Sequence, residues 1–244
     1  MGKNIVCFID SFTSGGAQKQ MLLLANGLCV SNKVKTLQYH DINFFSELLN
    51  KSVFQHKVLV TNKLSRIFGI LKVLYKEKPD IIISFLTGPN NYAALYKMIF
   101  FWRKTTLIVG ERNLNINKLT TRDLITRFSH LIANFIVCNS DAQKNIIQKI
   151  FGEKVRFIPN GTFIDNIEFK NITNRNYHLI VPARFINQKN PMGLLKALKN
   201  LSNVHVYWYG EIFKEYDIYK ECIDFIQNNN LKNFHFKEPT NDIH

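Results

Sequence analysis

Short apolar runs alternate with longer amphipathic segments through almost the whole of this 244-residue chain. The apolar runs, such as Ile81–Phe85, have the length of buried strands. The segments between them, such as Ala17–Val30, carry apolar residues at three- and four-residue spacing, which is typical of helices. Strands that alternate with helices predict βαβ units and therefore parallel sheets. We predict an α/β protein.

The alternation is interrupted once. The turn signal Pro159-Asn160-Gly161 is followed by the polar run 170–176. We therefore predict a first Rossmann-like domain over residues 1–160, a linker over 161–176 and a second Rossmann-like domain over 177–244. The second domain has only three predicted strands, so it is incomplete as a doubly wound sheet. The predicted strands are 4–9, 33–39, a short one around 58–60, 81–85, 106–109, 135–138, 155–158, 178–181, 204–209 and 234–236, and the predicted helices are 17–30, 64–77, 89–101, 120–132, 140–150, 191–198 and 215–228.

A basic loop follows the first strand of the second domain, in the stretch Leu179–Pro191, LIVPARFINQKNP. Pro182 cannot donate to a sheet ladder, so we expect the strand to end there. Arg184 and Lys189 follow, and Asn190 with Pro191 has the residue types of a helix N-cap and first turn. Side-chain cations beside free backbone N–H groups at the carboxyl edge of a sheet suit a diphosphate. The alternative is a solvated surface loop.

A glycine pair, Gly15 and Gly16, links the first strand to the first helix. Glycines let a ligand approach the backbone closely, and a helix N-terminus favours an anion. The motif is not the dinucleotide fingerprint, which needs further glycines. Asp41, after the second strand, keeps an NAD-binding interpretation open, and a tight turn without a ligand is another alternative.

Polar segments follow two more predicted strands, in Ser84–Asn90 and in Gly110-Glu111-Arg112-Asn113. Together with the glycine pair, the turn at Pro159–Gly161 and the loop from Arg184 to Lys189, these segments resemble, in order along the chain, the retaining family 4 glycosyltransferases of the GT-B fold, of the bacterial surface-glycan type. The loop with Arg, four residues and Lys is the most specific of the five similarities.

The resemblance implies a function and a set of sites. It implies transfer of a hexosyl-type sugar, with retention, from a nucleotide-diphosphate sugar (UDP- or GDP-linked) to a glycan or lipid-linked acceptor in surface polysaccharide or lipopolysaccharide synthesis. Arg184 and Lys189 would stabilise the diphosphate as catalytic residues. Donor binding would involve Gly15, Gly16, Arg184, Lys189, Gly210 and Glu238, and the acceptor side Glu111, Arg112 and Asn113.

The sequence departs from the family in three places. Gln18 replaces an acid in the glycine loop, and Arg112 lies where relatives often carry a histidine, so no catalytic base is assigned. The family's second signature, two Glu residues separated by seven others, is absent from the sequence. We therefore predict a C-terminally truncated chain. The alternatives are a non-catalytic remnant, a half-enzyme that needs a partner chain, or an NAD-binding Rossmann protein.

Charge is distributed unevenly along the chain. Residues 1–160 carry 22 Lys and Arg against 9 Asp and Glu, a net of +13, whereas residues 161–244 carry 10 against 9. A basic half predicts an anionic partner, for which we considered a membrane surface, a lipid diphosphate and nucleic acid. No nucleic-acid-binding signature is present in the sequence, so we predict no nucleic-acid partner and favour an anionic membrane surface.

The segment Tyr96–Lys104 mixes aromatic and basic residues. We favour core packing for Met98, Ile99 and Phe101, with a capping contact for Trp102. The alternative is a segment that lies in a membrane interface.

The remaining chemistry of the sequence is sparse. The four cysteines are scattered, and we predict that they are reduced core thiols. We predict that the seven histidines are isolated residues at the surface or half-buried. We predict no metal site and no cofactor apart from the nucleotide-sugar substrate. The first ten residues reach an acid too soon for a signal peptide, so we expect a cytoplasmic protein on the inner face of the membrane.

Overall fold

The structure is a computed structural model that describes residues 2–112, 128–162 and 177–240. The chain divides into two compact units, residues 1–163 and residues 164–244. The predicted linker, 161–176, falls almost entirely outside the described residues, so its bounds stay a prediction.

The first unit is built on a parallel sheet of seven strands in the order β3-β2-β1-β4-β5-β6-β7. The strands are β1 (Asn4–Phe8), β2 (Lys33–Gln38), β3 (Phe54–Lys57), β4 (Ile81–Phe85), β5 (Thr106–Glu111), β6 (Phe135–Cys138) and β7 (Val155–Phe157). The helices described in this unit are α1 (Gly16–Leu28), α2 (Lys63–Glu77), α3 (Thr87–Ile99), α4 (Ser129–Ile132) and α5 (Asp141–Phe151).

Alternate residues of the central strand β1 face two separate cores. Ile5 and Cys7 pack with Met21 and Leu22 of α1 on one face. Val6 and Phe8 belong to the core on the other face, to which α2 and α3 contribute Ile70, Leu74, Ala93, Ala94 and Tyr96. The strand order reverses between β1 and β4, which is where an open parallel sheet binds ligands at the carboxyl ends of its strands.

The second unit repeats the βαβ pattern on a smaller scale. Its parallel sheet has the order β10-β9-β8, from β8 (His178–Pro182), β9 (His205–Tyr209) and β10 (Phe234–Lys237), with helices α6 (Pro191–Leu198) and α7 (Asp217–Asn228). The core forms on the face covered by both helices, around Phe185, Trp208 and Cys222. The predicted α/β class is confirmed, and the second sheet has the three predicted strands.

Most predicted elements agree with the structure within about two residues, but one prediction of strand bounds was wrong. β3 occupies Phe54–Lys57 and not the residues around 58–60, because Val58 follows the strand and packs into the core beside α2. The expected end of a strand at Pro182 agrees with the structure: Pro182 is the last residue of β8 and pairs in register with Tyr209 of β9. The predicted helix over 120–132 falls largely outside the described residues.

The preference for core packing in Tyr96–Lys104 was also wrong for most of the segment. Tyr96 is fully buried, but Met98, Ile99, Phe101 and Trp102 are exposed. The reason is geometric: α3 ends at Ile99, and a short 3-10 turn over Phe101–Arg103 precedes β5. These side chains therefore do not pack into a core. Among the described residues, no helix is long and apolar enough to cross a membrane.

Candidate functional site

The loop that follows β8 places Arg184 at the carboxyl edge of the second sheet. Arg184 is exposed, and its guanidinium has no carboxylate partner among the residues the structure describes. It borders a cavity of about 540 Å³ with the neighbouring residues Ile186, Asn187 and Gln188. A free guanidinium at this position can bind an anionic oxygen of a ligand, in the bidentate geometry that phosphates favour.

The segment that links β9 to α7, with the start of α7, also lines the cavity. Phe213 and Tyr216 stack on each other with ring centroids 5.0 Å apart, and both line the cavity with Glu215 and Asp217. An aromatic pair beside a cation offers a surface for a nucleobase or a sugar ring. These two aromatics are not among the site residues predicted from the sequence, although two aromatic residues three positions apart in a loop at this edge are a usable signal.

Gly210 and Trp208 fix the position of the Arg184 loop. The indole Nε1 of buried Trp208 donates to the carbonyl oxygen of Ala183 at 2.5 Å. A Cβ at position 210 would collide with the same carbonyl, so only glycine permits this approach of the two loops. Gly210 therefore supports the loop through its backbone. Glu238 follows β10 and is exposed at the same edge of the sheet, and the donor-binding roles of both residues stay predictions.

Lys189 lies at the end of a 3-10 turn, Asn187–Lys189, and is exposed, but it is not among the residues that line the cavity. The next residue, Asn190, adopts a left-handed conformation (φ 50°), and its side chain accepts a hydrogen bond from the Gly193 backbone N–H at 3.2 Å. Asn190 is therefore the N-cap of α6, and Pro191 opens the helix, as the sequence predicts. The structure brings Arg184 to the cavity but leaves Lys189 outside it.

In the first unit, the glycine pair opens α1 next to the point where the strand order reverses. Gly15 is the N-cap residue, and no side chain in the described part of the chain caps the helix, so its first backbone N–H groups have no side-chain acceptor there. A Cβ on Gly15 would clash with the Gln18 side chain, whose amide lies 3.3 Å from the Asp10 carboxylate. Gln18 thus stabilises the loop internally, and the ligand roles of Gly15 and Gly16 stay predictions.

A buried polar network holds the exit of β4. Ser84 donates to the Asn90 side-chain oxygen at 2.7 Å, and Asn90 in turn donates to the Gly110 carbonyl at 3.2 Å. Between them, Leu86 has φ 75° and ψ 152°, a region that non-glycine residues rarely adopt and that costs roughly 1–3 kcal/mol. Such strain is stored at functional sites when the surrounding packing enforces it.

Of the three predicted acceptor-side residues, Glu111 and Arg112 are described and Asn113 lies outside the described residues. Glu111 is buried, and its carboxylate lies 3.4 Å from Nε2 of buried His130. The expectation that every histidine is isolated and at least half exposed was wrong for His130, because the fold brings together residues that are far apart in the sequence. The placement of Glu111 is that of an interior residue, and its acceptor role stays a prediction.

Arg112 packs over the ring of Phe85, with 4.0 Å from the guanidinium carbon to the ring centroid, and donates to the Asn160 side chain at 2.7 Å. Burial lowers the pKa of the Arg112 guanidinium, and the neighbouring Cys138 opposes this shift by raising it. Gln20 of α1 reaches the neighbouring Gly161 through two hydrogen bonds, of 2.7 and 3.0 Å. Arg112 and Gln20 thus hold the Asn160–Gly161 turn against the rest of the first unit. Gln20 is not among the site residues predicted from the sequence.

A second cavity of about 540 Å³ lies between α1 and the face of strands β4–β7 that is turned towards α1. Its walls are mostly apolar, from residues such as Leu23, Leu24 and Phe135, and Arg112 and Arg156 are the cations among its lining residues. An apolar cavity with two guanidinium groups suits a ligand that joins an apolar part to an anionic group. Among the described residues no three His, Cys, Asp or Glu side chains are grouped as a metal site would require.

The chain has the GT-B fold, with two Rossmann-like α/β units in tandem, and the predicted resemblance is confirmed at the level of the fold. No family model matches the sequence. Among curated proteins, the chain is similar to the GalNAc-alpha-(1->4)-GalNAc-alpha-(1->3)-diNAcBac-PP-undecaprenol alpha-1,4-N-acetyl-D-galactosaminyltransferase of Campylobacter jejuni. The two are 26% identical over 209 residues, which cover 79% of this chain and 56% of the relative. The chain thus spans little more than half the length of this relative.

Solved structures give the same fold. The chain matches Alr3699/HepE of Anabaena in complex with UDP (TM-score 0.76, 18% identity, 100% of this chain and 70% of that chain). The complex of the same protein with UDP-glucose gives a TM-score of 0.78 at 17% identity, over 97% and 69% of the two chains. The lipopolysaccharide outer core galactosyltransferase WaaB matches with a TM-score of 0.63 at 13% identity, over 97% of this chain and 68% of that chain.

Proposed function

We propose that the chain is a glycosyltransferase that moves a sugar from a nucleotide diphosphate to a lipid-linked or glycan acceptor in bacterial surface-glycan synthesis. The observation that carries the proposal is the free guanidinium of Arg184 beside a cavity with a stacked aromatic pair, at the ligand-binding edge of a GT-B unit. The Campylobacter relative, whose name specifies an undecaprenol-diphosphate acceptor, supports the acceptor class.

The proposed role of the basic loop depends on where negative charge develops during sugar transfer. When the bond between the sugar and the diphosphate breaks, negative charge accumulates on the departing phosphate, and a preorganised guanidinium stabilises it without solvent reorganisation. Arg184 has this position in the proposal, and Lys189 adds a second cation on the same loop. We propose transfer with retention on the resemblance to family 4 enzymes, and we propose no metal or other cofactor for this chemistry.

UDP is the nucleotide we favour over GDP. The support is that the HepE structures contain UDP and UDP-glucose. In the proposal, the Phe213–Tyr216 pair stacks on the uracil ring and Arg184 binds the diphosphate.

The test is a calorimetric titration of the 244-residue chain with UDP and GDP. We expect UDP to bind, and Arg184→Ala to weaken the binding by about tenfold or more because a charge-assisted contact is lost. Lys196→Ala removes an exposed cation from the last turn of α6 and is the matched control, which should bind UDP as the unchanged chain does. Equal UDP affinity in the Arg184→Ala variant would exclude the assigned site.

A second candidate is a chain that binds the nucleotide but needs a partner for transfer. Its support is that the family's second signature, two Glu residues separated by seven others, is absent from the sequence. Transfer of labelled sugar from UDP-N-acetylgalactosamine or UDP-glucose to undecaprenyl-diphosphate-linked glycans separates the two: UDP binding without transfer supports the half-enzyme or the non-catalytic remnant. The NAD alternative gains no support, because the Asp41 carboxylate accepts hydrogen bonds from Lys57 and Asn43, both at 2.8 Å.

We place the protein on the cytoplasmic face of the membrane, where nucleotide sugars and lipid-linked acceptors meet. The excess of basic residues in the first 160 positions supports contact with an anionic surface.

A further inference from the structure

A stripe of exposed apolar side chains runs along α2. Leu64, Phe68 and Tyr75 are exposed to 66%, 71% and 43%, and their spacing places them on one side of the helix. The same helix buries Ile70 and Leu74 completely on another side. A helix with one buried and one exposed apolar side needs a second apolar environment for the exposed side.

The stripe continues at the end of α3. The ring centroids of Tyr75 and Phe100 are 5.0 Å apart, and Phe100 contacts Trp102 at 5.5 Å, which in turn contacts Phe101 at 5.3 Å. Phe101 is exposed to 74% and Trp102 to 57%. We call the set Leu64, Phe68, Tyr75, Phe101 and Trp102 the aromatic patch.

The segments that carry the aromatic patch are rich in basic residues. Residues 61–104 contain eight Lys and Arg but only two acids, Glu77 and Asp80. Both acids are engaged away from the patch: Glu77 pairs with Lys35 and His56 of the sheet, and Asp80 accepts from the Asn4 backbone N–H at 2.8 Å. The guanidinium of Arg103 lies over the Tyr75 ring at 4.6 Å, whereas Lys72, Lys76 and Lys104 are exposed.

We infer that the aromatic patch is a docking surface for an anionic lipid bilayer. Trp and Tyr rings favour the boundary between lipid headgroups and acyl chains, and exposed Phe and Leu side chains insert below it. Each Lys or Arg near the surface adds attraction to anionic headgroups. An apolar patch alone would suit a protein partner equally well. The cations of α2 and of the end of α3, together with the contacts that Glu77 and Asp80 make with the sheet, favour lipid.

The inference does not depend on the proposed transfer reaction, since it concerns α2 and the end of α3 and not the residues assigned to donor binding. It gives the proposed membrane contact a defined surface. Vesicle binding is measured without a sugar donor, so a failed transfer assay and a failed docking experiment are distinguishable.

The test is flotation of the full chain with vesicles of phosphatidylcholine alone and of phosphatidylcholine mixed with phosphatidylglycerol. We expect binding to the mixed vesicles that falls with salt, since surface attraction is screened. Phe101→Ser combined with Trp102→Ser should weaken binding by about tenfold or more through lost apolar insertion. Replacing Lys72, Lys76 and Lys104 by Gln should weaken it by roughly fivefold per charge.

The matched control is Val30→Ser, which removes an apolar side chain exposed to 86% outside the patch and should leave binding unchanged. Fluorescence gives a second readout: Trp102 is exposed and Trp208, the other tryptophan of the chain, is buried in the second unit. Brominated lipids should therefore quench Trp102 selectively.

Two results would overturn the inference. One is vesicle binding that neither set of variants changes. The other is no vesicle binding together with concentration-dependent self-association, in sedimentation velocity, that Phe101→Ser and Trp102→Ser abolish. The second result would make the patch an interface between copies of the chain.

Discussion

Burial changes the pKa of three cysteine thiols in this fold. Burial raises the pKa of Cys7 to about 12, and burial is also the main reason why the pKa of Cys138 and that of Cys222 rise to about 11. The thiolate is the reactive form, so these three cysteines are inert near neutral pH. The reading of the cysteines as core thiols is confirmed for them, whereas Cys29 is only half-buried.

Three histidines lie together on adjacent strands of the second sheet. His205 pairs in register with His178, and its Nδ1 lies 3.3 Å from Nε2 of His235. The pKa of His235 is lowered by burial first, and then by the neighbouring His205, Lys237 and His178. The folded state therefore resists protonation of His235 more than the unfolded chain does.

The sign of the pH effect follows from this shift. Below the unfolded histidine pKa of about 6.5, the unfolded chain takes up the proton first, so stability is lost as pH falls. We expect the urea midpoint of the second unit, followed by Trp208 fluorescence, to fall between about pH 7.5 and about pH 5.5. His235→Gln should reduce this fall, whereas the control His40→Gln in the first unit should not. An identical fall in the His235→Gln variant would contradict the assignment.

At the scale of elements, the start of α6 depends on one side chain. Asn190 both caps the helix and adopts a positive φ, which asparagine tolerates better than most residues. We expect Asn190→Ala to lower the free energy of unfolding by about 1 kcal/mol or more, since the cap is lost and the backbone is strained. Asn190→Gly is the control: glycine keeps the left-handed conformation and should cost only a few tenths of a kcal/mol. Urea denaturation measures both, and equal losses would show that the conformation does not matter.

Elements with a strong apolar pattern were predictable from the sequence, and elements without one were not. β4 and β6 agree residue for residue with the prediction, because short apolar runs such as Ile81–Phe85 have few alternatives. β3 was misplaced because Phe54–Lys57 is an edge strand whose polar composition resembles a loop. The contact of Glu111 with His130 could not be predicted, since no local pattern joins residues that meet only through the sheet.

The candidate site, like the fold, was predictable from the sequence only in part. The positions of Arg184 and Asn190 in their loop were predictable, because the structural preferences of N-cap residues and prolines depend on the local sequence. The exposure of the α2 stripe was not, because the spacing of Leu64 and Phe68 suits a buried helix face as well as an exposed one. Burial is decided by what the rest of the chain places over a helix, and a sequence pattern does not contain that information.

At the scale of the whole molecule, the two units differ in how completely they bury their strands. The first unit has a core on each face of its sheet, whereas in the second unit Leu179 and Ile180 of β8 remain exposed. Parallel strands are usually buried on both faces, so the second unit is expected to be the less stable of the two.

We therefore expect a fragment of residues 1–163 to fold alone. Its circular dichroism should show one cooperative thermal transition, and residues 164–244 expressed separately should show a weaker transition or none. A stable, cooperative 164–244 fragment would contradict the expectation. The full chain, measured under the same conditions, supplies the reference for both fragments.

The collision that any Cβ at position 210 would make with the Ala183 carbonyl has a consequence for engineering. The loops that follow β8 and β9 cannot be varied independently, because every substitution at 210 forces both to move. A mutant library aimed at a different sugar nucleotide should keep Gly210 and Trp208 constant. It should place its diversity at Asn187, Gln188 and Phe213, which face the cavity without fixing the backbone.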